Sequence, residues 1–242
     1  SSNALFTDFY ELTMAQGYWK ENMNQKVVFD MFFRRNPFNG GFSILAGNET
    51  LLDAVTEFRF SDDDIEFLRT QKIFEEGFLE FLKDWHFTGD LYTMDEGTVI
   101  FPQEPIVTVR GTAMQALMLE TMILVTINHQ SLIATKANRI VRAADGRAVM
   151  EFGSRRAQGF DGAIYGARAA YIGGCAATAC KISDRDYAIP ATGTMAHSWV
   201  QMFDTEYDAF VSYCKMYPNN ATLLVDTYDV LKSGVPNAIR AF

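Results

Sequence analysis

Three short runs in this chain carry residue types that could do chemistry. The first is Phe152-Gly153-Ser154-Arg155-Arg156, the second Thr192-Gly193-Thr194-Met195-Ala196-His197, and the third Asp226-Thr227-Tyr228-Asp229. A guanidinium grips phosphate oxygens with a two-pronged fork. An imidazole relays protons or accepts a phosphoryl group, and an aspartate beside it fixes its tautomer. A hydroxyl flanked by glycine leaves room for a bound group. Converging on one mouth, Arg155, Thr194, His197 and Asp226 would suit an anionic, phosphate-bearing substrate. Each also has a plainer reading. Paired arginines are usually solvated or salt-bridged surface, and a histidine near a helix start is usually a hydrogen-bonded structural residue. Asp226 and Asp229 serve equally as turn or cap residues, Thr194 as an N-cap, and Tyr10 as one more core residue on a helix face.

Position is what joins them. From residue 146 onward, strand-like segments at 149–152, 187–191 and 222–225 alternate with helical ones at 160–171, 199–216 and 235–242. A short Gly-rich unit, Gly173-Gly174-Cys175-Ala176-Ala177-Thr178, lies between the first two. Such alternation predicts a parallel sheet. Four units make half of an eightfold α/β barrel, whose reacting groups sit at the C-terminal ends of the strands. A half barrel leaves a sheet edge unpaired, so either a partner supplies the missing strands or the chain is a fragment of a longer protein, and the fragment is the favoured expectation.

Before residue 146 the texture is mixed α+β. Helices are expected over 7–22, 49–58, 65–69 (after the Ser61-Asp62-Asp63-Asp64 cap) and 74–84. Residues 26–34 read as a strand, Asn36-Pro37-Phe38-Asn39-Gly40-Gly41 as a turn, and 90–110 as short strands broken by Gly97, Pro102 and Pro105. Residues 112–144 read as one long helix or two. The expected domains are therefore 5–145, an α+β domain with a long connecting helix, and 146–242, a partial α/β barrel.

The chain has 242 residues, 48% of them hydrophobic, and a formal net charge of −9. That balance speaks against sequence-independent nucleic-acid binding, while leaving room for a local basic pocket. Cys175, Cys180 and Cys214 have no metal-ligand partner at a useful spacing and suit a reducing cytosol. The most apolar stretch, residues 116–134, is interrupted by Glu120, Asn128, His129 and Gln130, so neither a membrane span nor a signal peptide is expected. Ser1-Ser2-Asn3-Ala4 reads as a cloning or protease scar outside the fold. No P-loop, dinucleotide fingerprint or H-E-x-x-H motif is present.

Several ordered runs resemble nicotinate phosphoribosyltransferases across nearly the whole chain. They are Thr7-Asp8-Phe9-Tyr10-Glu11-Leu12-Thr13-Met14, Phe33-Arg34-Arg35-Asn36-Pro37-Phe38 with Gly41 and Ala46-Gly47, and Glu151-Phe152-Gly153-Ser154-Arg155-Arg156-Ala157. To these add Ala191-Thr192-Gly193-Thr194-Met195-Ala196-His197-Ser198, and Val225-Asp226-Thr227-Tyr228-Asp229 followed by Gly234-Val235-Pro236-Asn237-Ala238-Ile239. The resemblance implies the type II phosphoribosyltransferase architecture. It also implies condensation of nicotinate with phosphoribosyl pyrophosphate to nicotinate mononucleotide and pyrophosphate, the first step of NAD salvage from nicotinate. ATP hydrolysis would be coupled through a phosphohistidine at His197, with Asp226 hydrogen-bonded to it. Thr194 would lie near the phosphate, Phe152 would stack on the pyridine, Arg155 would bind the phosphoribosyl portion, and Tyr10 would reach the pyridine of the other subunit of a homodimer. Mg²⁺ would ride on the pyrophosphate, with no protein metal site assigned, and the location would be cytoplasmic.

Two departures accompany the match. Ala179-Cys180 stand where the family commonly has Ser-Asn, and family members are considerably longer, so little or no activity is expected of these 242 residues alone. The rivals are a nicotinamide- or quinolinate-using relative and an inactive remnant acting as a binding or structural unit. A nicotinamide enzyme would be expected to carry an aspartate near residues 173–178, and none is there.

Overall fold

The computed structural model describes residues 3–242, which divide into two compact units, one running to Ile189 and a second, Pro190–Phe242. Ser1 and Ser2 of the expected scar lie outside the described residues. Ala4 departs from that expectation: its methyl is fully buried in the main core of the first unit.

The first unit opens with α1 (Phe9–Lys20) and β1 (Lys26–Met31), then a 3₁₀ turn at Pro37–Asn39 and β2 (Ser43–Ile44). Three helices come after it: α2 (Asn48–Glu57), α3 (Asp62–Thr70) and α4 (Glu76–Lys83). The acidic run in the first turn of α3 works as its sequence indicates. Ser61 accepts the Asp64 N–H while Asp64 accepts the Ser61 N–H, a reciprocal capping box. Strands β3 (Asp90–Thr93), β4 (Val99–Ile100) and β5 (Val107–Thr112) come next. β1, β5 and β3 form an antiparallel sheet in that order, with Lys26 opposite Thr112 and Asp90 opposite Arg110. Along β5 the side chains alternate, Val107 and Val109 inward and Arg110 outward, as a half-buried strand requires. β2 pairs with β4; that two-residue strand is too short for the sequence pattern to reveal.

The expected long helix is two: α5 (Ala113–Leu117), capped by Thr112, and α6 (Glu120–Ala143). The stretch Ala113–Ala143 is long and apolar enough to cross a bilayer by length and composition alone, and half of its most apolar window is buried within the protein. The polar residues of α6 have specific duties on its inner face. Ser131 Oγ accepts the Ala46 N–H and donates to the Ala46 carbonyl, both at 3.1 Å, and Thr135 Oγ1 accepts the Ile44 N–H at 2.9 Å. Buried backbone that would otherwise be orphaned is thereby satisfied.

Against α6 packs α7 (Gly159–Ile172), which joins β6 (Met150–Glu151) to β7 (Ala177–Thr178) as a parallel pair; α8 (Lys181–Tyr187) comes after β7. These are the first two βα units expected. Because α7 lies on α6, compactness groups them with the α+β region, and the division between units falls after Ile189 rather than at 145/146.

The second unit contains α9 (His197–Gln201), α10 (Glu206–Met216), a π-helical turn at Val230–Gly234 and α11 (Val235–Ala241). The single helix expected over 199–216 is broken between α9 and α10, where Thr205 caps the second piece by accepting the Asp208 N–H at 3.1 Å. The strands expected at 187–191 and 222–225 are not formed among the described residues, apart from an isolated bridge at Ala191. Residues 223–225 instead pack against this unit's own core of Met195, Val200, Ala209, Phe210 and Ala238. Gly234 allows a very close approach: a Cβ there would sit 1.8 Å from the Val225 carbonyl oxygen.

Candidate functional site

In the first unit, the end of β6 sets the Phe152-Arg155 turn. The Glu151 carboxylate accepts the Gly153 N–H and, at 2.6 Å, the Thr178 hydroxyl, so one side chain ties β6 to β7 and bends the chain beyond it. The Ala179 N–H adds a backbone bond to the Glu151 carbonyl at 2.9 Å. Beyond Phe152, a 3₁₀ turn at Ser154–Arg156 carries Arg155, and both side chains are exposed. Phe152 is 48% exposed, high for an aromatic ring. Among the described residues the Arg155 side chain has no hydrogen-bond or ion-pair partner, and the buried Ser154 hydroxyl is likewise unpaired. An open cation beside an open aromatic face is a fitting place for an anionic ring compound or phosphate.

Tyr10 is on α1 and is 41% exposed, so the reading that makes it a core residue does not hold. Its phenol donates to the Glu120 carboxylate. That hydrogen bond, with smaller contributions from desolvation and from the Glu120, Glu11 and Asp8 charges, pushes its pKa up to about 12. Beside Glu120 opens an apolar concavity of about 470 Å³ lined by Val28, Phe29, Phe32 and Leu124, each at least 41% exposed.

The Gly-rich segment before β7 packs tightly. Cys175 and Cys180 are buried free thiols, and burial, with the Glu151 charge, pushes the Cys175 thiol up. Among the described residues no group of three or more His, Cys, Asp or Glu side chains could hold a metal ion.

In the second unit the histidine is built from both sides. Met195 is buried, and its sulfur accepts the Leu224 N–H at 3.2 Å, tying the Gly-Thr turn to the segment that leads into Asp226. His197 begins α9 and is exposed. Its Nδ1 lies 3.1 Å from Thr227 Oγ1, a hydrogen bond, and its Nε2 lies 3.9 Å from Asp226 Oδ1. The expected hydrogen bond from Asp226 is therefore not made at this distance; the carboxylate is a charged neighbour, and Thr227 holds the ring. Nothing in the sequence singles out Thr227, because a threonine between an aspartate and a tyrosine has no signature of its own.

Thr194 is exposed, and its hydroxyl donates to the Met195 carbonyl at 2.9 Å. It is not an N-cap, since Ala196 holds that position. Asp229 does behave as a cap, accepting the Leu231 and Lys232 N–H groups at 3.0 and 2.8 Å. The structure thus brings His197, Thr227 and Asp226 together in one unit, while Phe152 and Arg155 share a turn of the other.

Comparison with known proteins bears on the whole chain. The family model described as the nicotinate phosphoribosyltransferase (NAPRTase) N-terminal domain matches residues 5–128. A nicotinate phosphoribosyltransferase of Mycobacterium tuberculosis is 46% identical over 98% of this chain and 51% of its own length. One of Bacillus subtilis is 42% identical over 99% of this chain and 49% of its own. The crystal structure of human nicotinic acid phosphoribosyltransferase superposes with a TM-score of 0.88 at 29% identity, over 96% of this chain and 56% of that one. The mixed α/β fold is accordingly that of the type II phosphoribosyltransferases, and the chain spans about half the length of the relatives it matches.

Proposed function

Since the chain belongs to the nicotinate phosphoribosyltransferase family, we propose that it forms part of an enzyme condensing nicotinate with phosphoribosyl pyrophosphate, with ATP hydrolysis coupled through a phosphohistidine at His197. The observation that carries this reading is the exposed imidazole between a hydroxyl and a carboxylate, at the histidine that the Gly-Thr-Met-Ala-His run singles out.

Loss of pyrophosphate leaves positive charge on the ribose, so positioning and charge neutralisation do most of the work. In this reading the Arg155 guanidinium binds the anionic phosphoribosyl portion and Phe152 stacks on the pyridine, both being unpaired and exposed. Thr194 offers its hydroxyl near the phosphate. His197 takes a phosphoryl group from ATP and later yields it to water, with Asp226 compensating the charge of the modified ring.

Mg²⁺ would arrive on the pyrophosphate. Such an ion would be held by phosphate oxygens, waters and one or two carboxylates. It would neutralise the leaving group. Tyr10 would reach the pyridine of a second copy, and the exposed apolar face around Val28, Phe29 and Phe32 supports a homodimer. Three free cysteines suit a reducing cytoplasm.

The test is His197→Ala in the full-length enzyme. The ATP-stimulated part of the rate is expected to vanish, leaving a slower basal turnover of nicotinate. Retention of ATP stimulation would sink the phosphohistidine assignment.

A further inference from the structure

We propose that Thr227 is the positioning residue that fixes the tautomer of His197 and so selects which ring nitrogen reacts; this rests on the reading of His197 as phosphoryl acceptor. A neutral imidazole has one N–H and one lone pair, and only the lone pair can attack phosphorus. Two neighbours face the ring. Asp226 Oδ1 is 3.9 Å from Nε2, too far for a hydrogen bond but near enough for its negative charge to favour a proton on that nitrogen. Thr227 Oγ1 is 3.1 Å from Nδ1, and a hydroxyl can donate as readily as accept. With the proton on Nε2, the hydroxyl donates to the Nδ1 lone pair. The two neighbours thus favour the same tautomer, and the shorter, directional contact belongs to the threonine.

The arrangement is held from outside the ring. The Leu224 N–H is anchored on the Met195 sulfur, and the Val225 carbonyl lies against Gly234, so residues 226 and 227 leave a fixed stretch of chain. Half of the imidazole surface remains open, with a side-chain exposure of 51%, leaving an approach for a phosphate.

Atoms and charge balance in this step. The Nδ1 lone pair attacks the terminal phosphorus of ATP, an N–P bond forms, the bridging P–O bond breaks, and ADP leaves with the electron pair. The Nε2 proton stays, and the positive charge gained by the ring faces Asp226. The Thr227 hydroxyl transfers its hydrogen bond from Nδ1 to an oxygen of the arriving phosphoryl group.

The experiment uses the full-length protein labelled with ¹⁵N-histidine, with His197→Gln to assign the resonance. Long-range proton–nitrogen spectra report which nitrogen carries the proton, and phosphorus spectra after ATP addition distinguish the two phosphohistidine isomers. The expected result is a proton on Nε2 and phosphate on Nδ1 in the wild type. Thr227→Val should mix the tautomers and slow phosphohistidine formation roughly tenfold, the effect of losing one hydrogen bond, and Thr227→Ser should restore both. A wild-type proton on Nδ1, phosphate on Nε2, or a Val variant matching the wild type overturns the proposal. The first two outcomes are read without any variant, so a misfolded Val protein leaves the test intact. Absence of any phosphohistidine in the wild type would instead sink the parent reading, and this one with it.

Discussion

Two regions of the first unit use arginine in opposite ways. Arg168, on α7, is buried, with a side-chain exposure of 8%, and both terminal nitrogens of its guanidinium are answered. It makes a two-pronged bond to Glu96 at 2.7 and 2.6 Å, a further bond to Glu49 at 2.6 Å, and a longer one to Gln130 at 3.4 Å. Burial alone would disfavour both charges. The bonds from Arg168, Gly47 and Asn48 overcome it and hold Glu96 below the usual carboxylate range, while Glu96 and Glu49 hold Arg168 firmly protonated. Arg155, at the Phe152 turn, is exposed and unanswered among the described residues. The difference separates scaffold from proposed site: where the fold needs the charge it supplies the partners, and at the turn proposed to bind the phosphoribosyl portion the fork is left open.

The most severe break of that contrast is Arg168→Met. Glu96 would keep its bonds to the Gly47 and Asn48 N–H groups but lose its cation. A cost of about 3 kcal/mol is expected, the low end for breaking a buried pair, and in a chain of this size a Tm lower by roughly 6–12 °C. Calorimetry checks it, and an unchanged Tm would make the buried network ornamental.

Arg155→Ala sharpens the other side. Its Tm should stay within about 0.5 kcal/mol equivalent of wild type, as for a surface residue. Its KM for phosphoribosyl pyrophosphate in the full-length enzyme should rise on the order of tenfold or more, the worth of a lost charge-assisted bond. Stability and KM moving together would refute the division.

The smallest effect concerns an exposed pair that is already satisfied. Spectroscopic titration should show Tyr10 ionising near 12 rather than 10, and Glu120→Gln should bring it down. The sign comes from the raised value in the folded state. Whatever the pair contributes is present below pH 10 and fades as pH climbs through about 12. With Tyr10 exposed, the change in stability should be slight.

The sequence was most legible where one local rule suffices. The capping box at Ser61 and Asp64, the alternation of β5, and the Pro37 turn all declare themselves within a few residues. Legibility failed where the partner is distant. Ser43–Ile44 is a strand because Val99–Ile100 lies beside it, and Ala4 is core because of what surrounds it, neither of which four residues of sequence can state. Residues 222–225 have the composition of a strand but no paired neighbour among the described residues, and composition does not supply one. At the site the same division applies. His197, Asp226 and Arg155 stand out by type, whereas Thr227 and Glu151 matter only through geometry: one reaches the imidazole, the other bends the Phe152 turn.

A missing methyl at position 234 reaches further than its own helix. Alanine there would drive the Val225 carbonyl away, and the next two residues along the chain are the ones that face the imidazole. A substitution remote from the imidazole would thus act on it by leverage through the backbone, altering its orientation while leaving every named functional group in place.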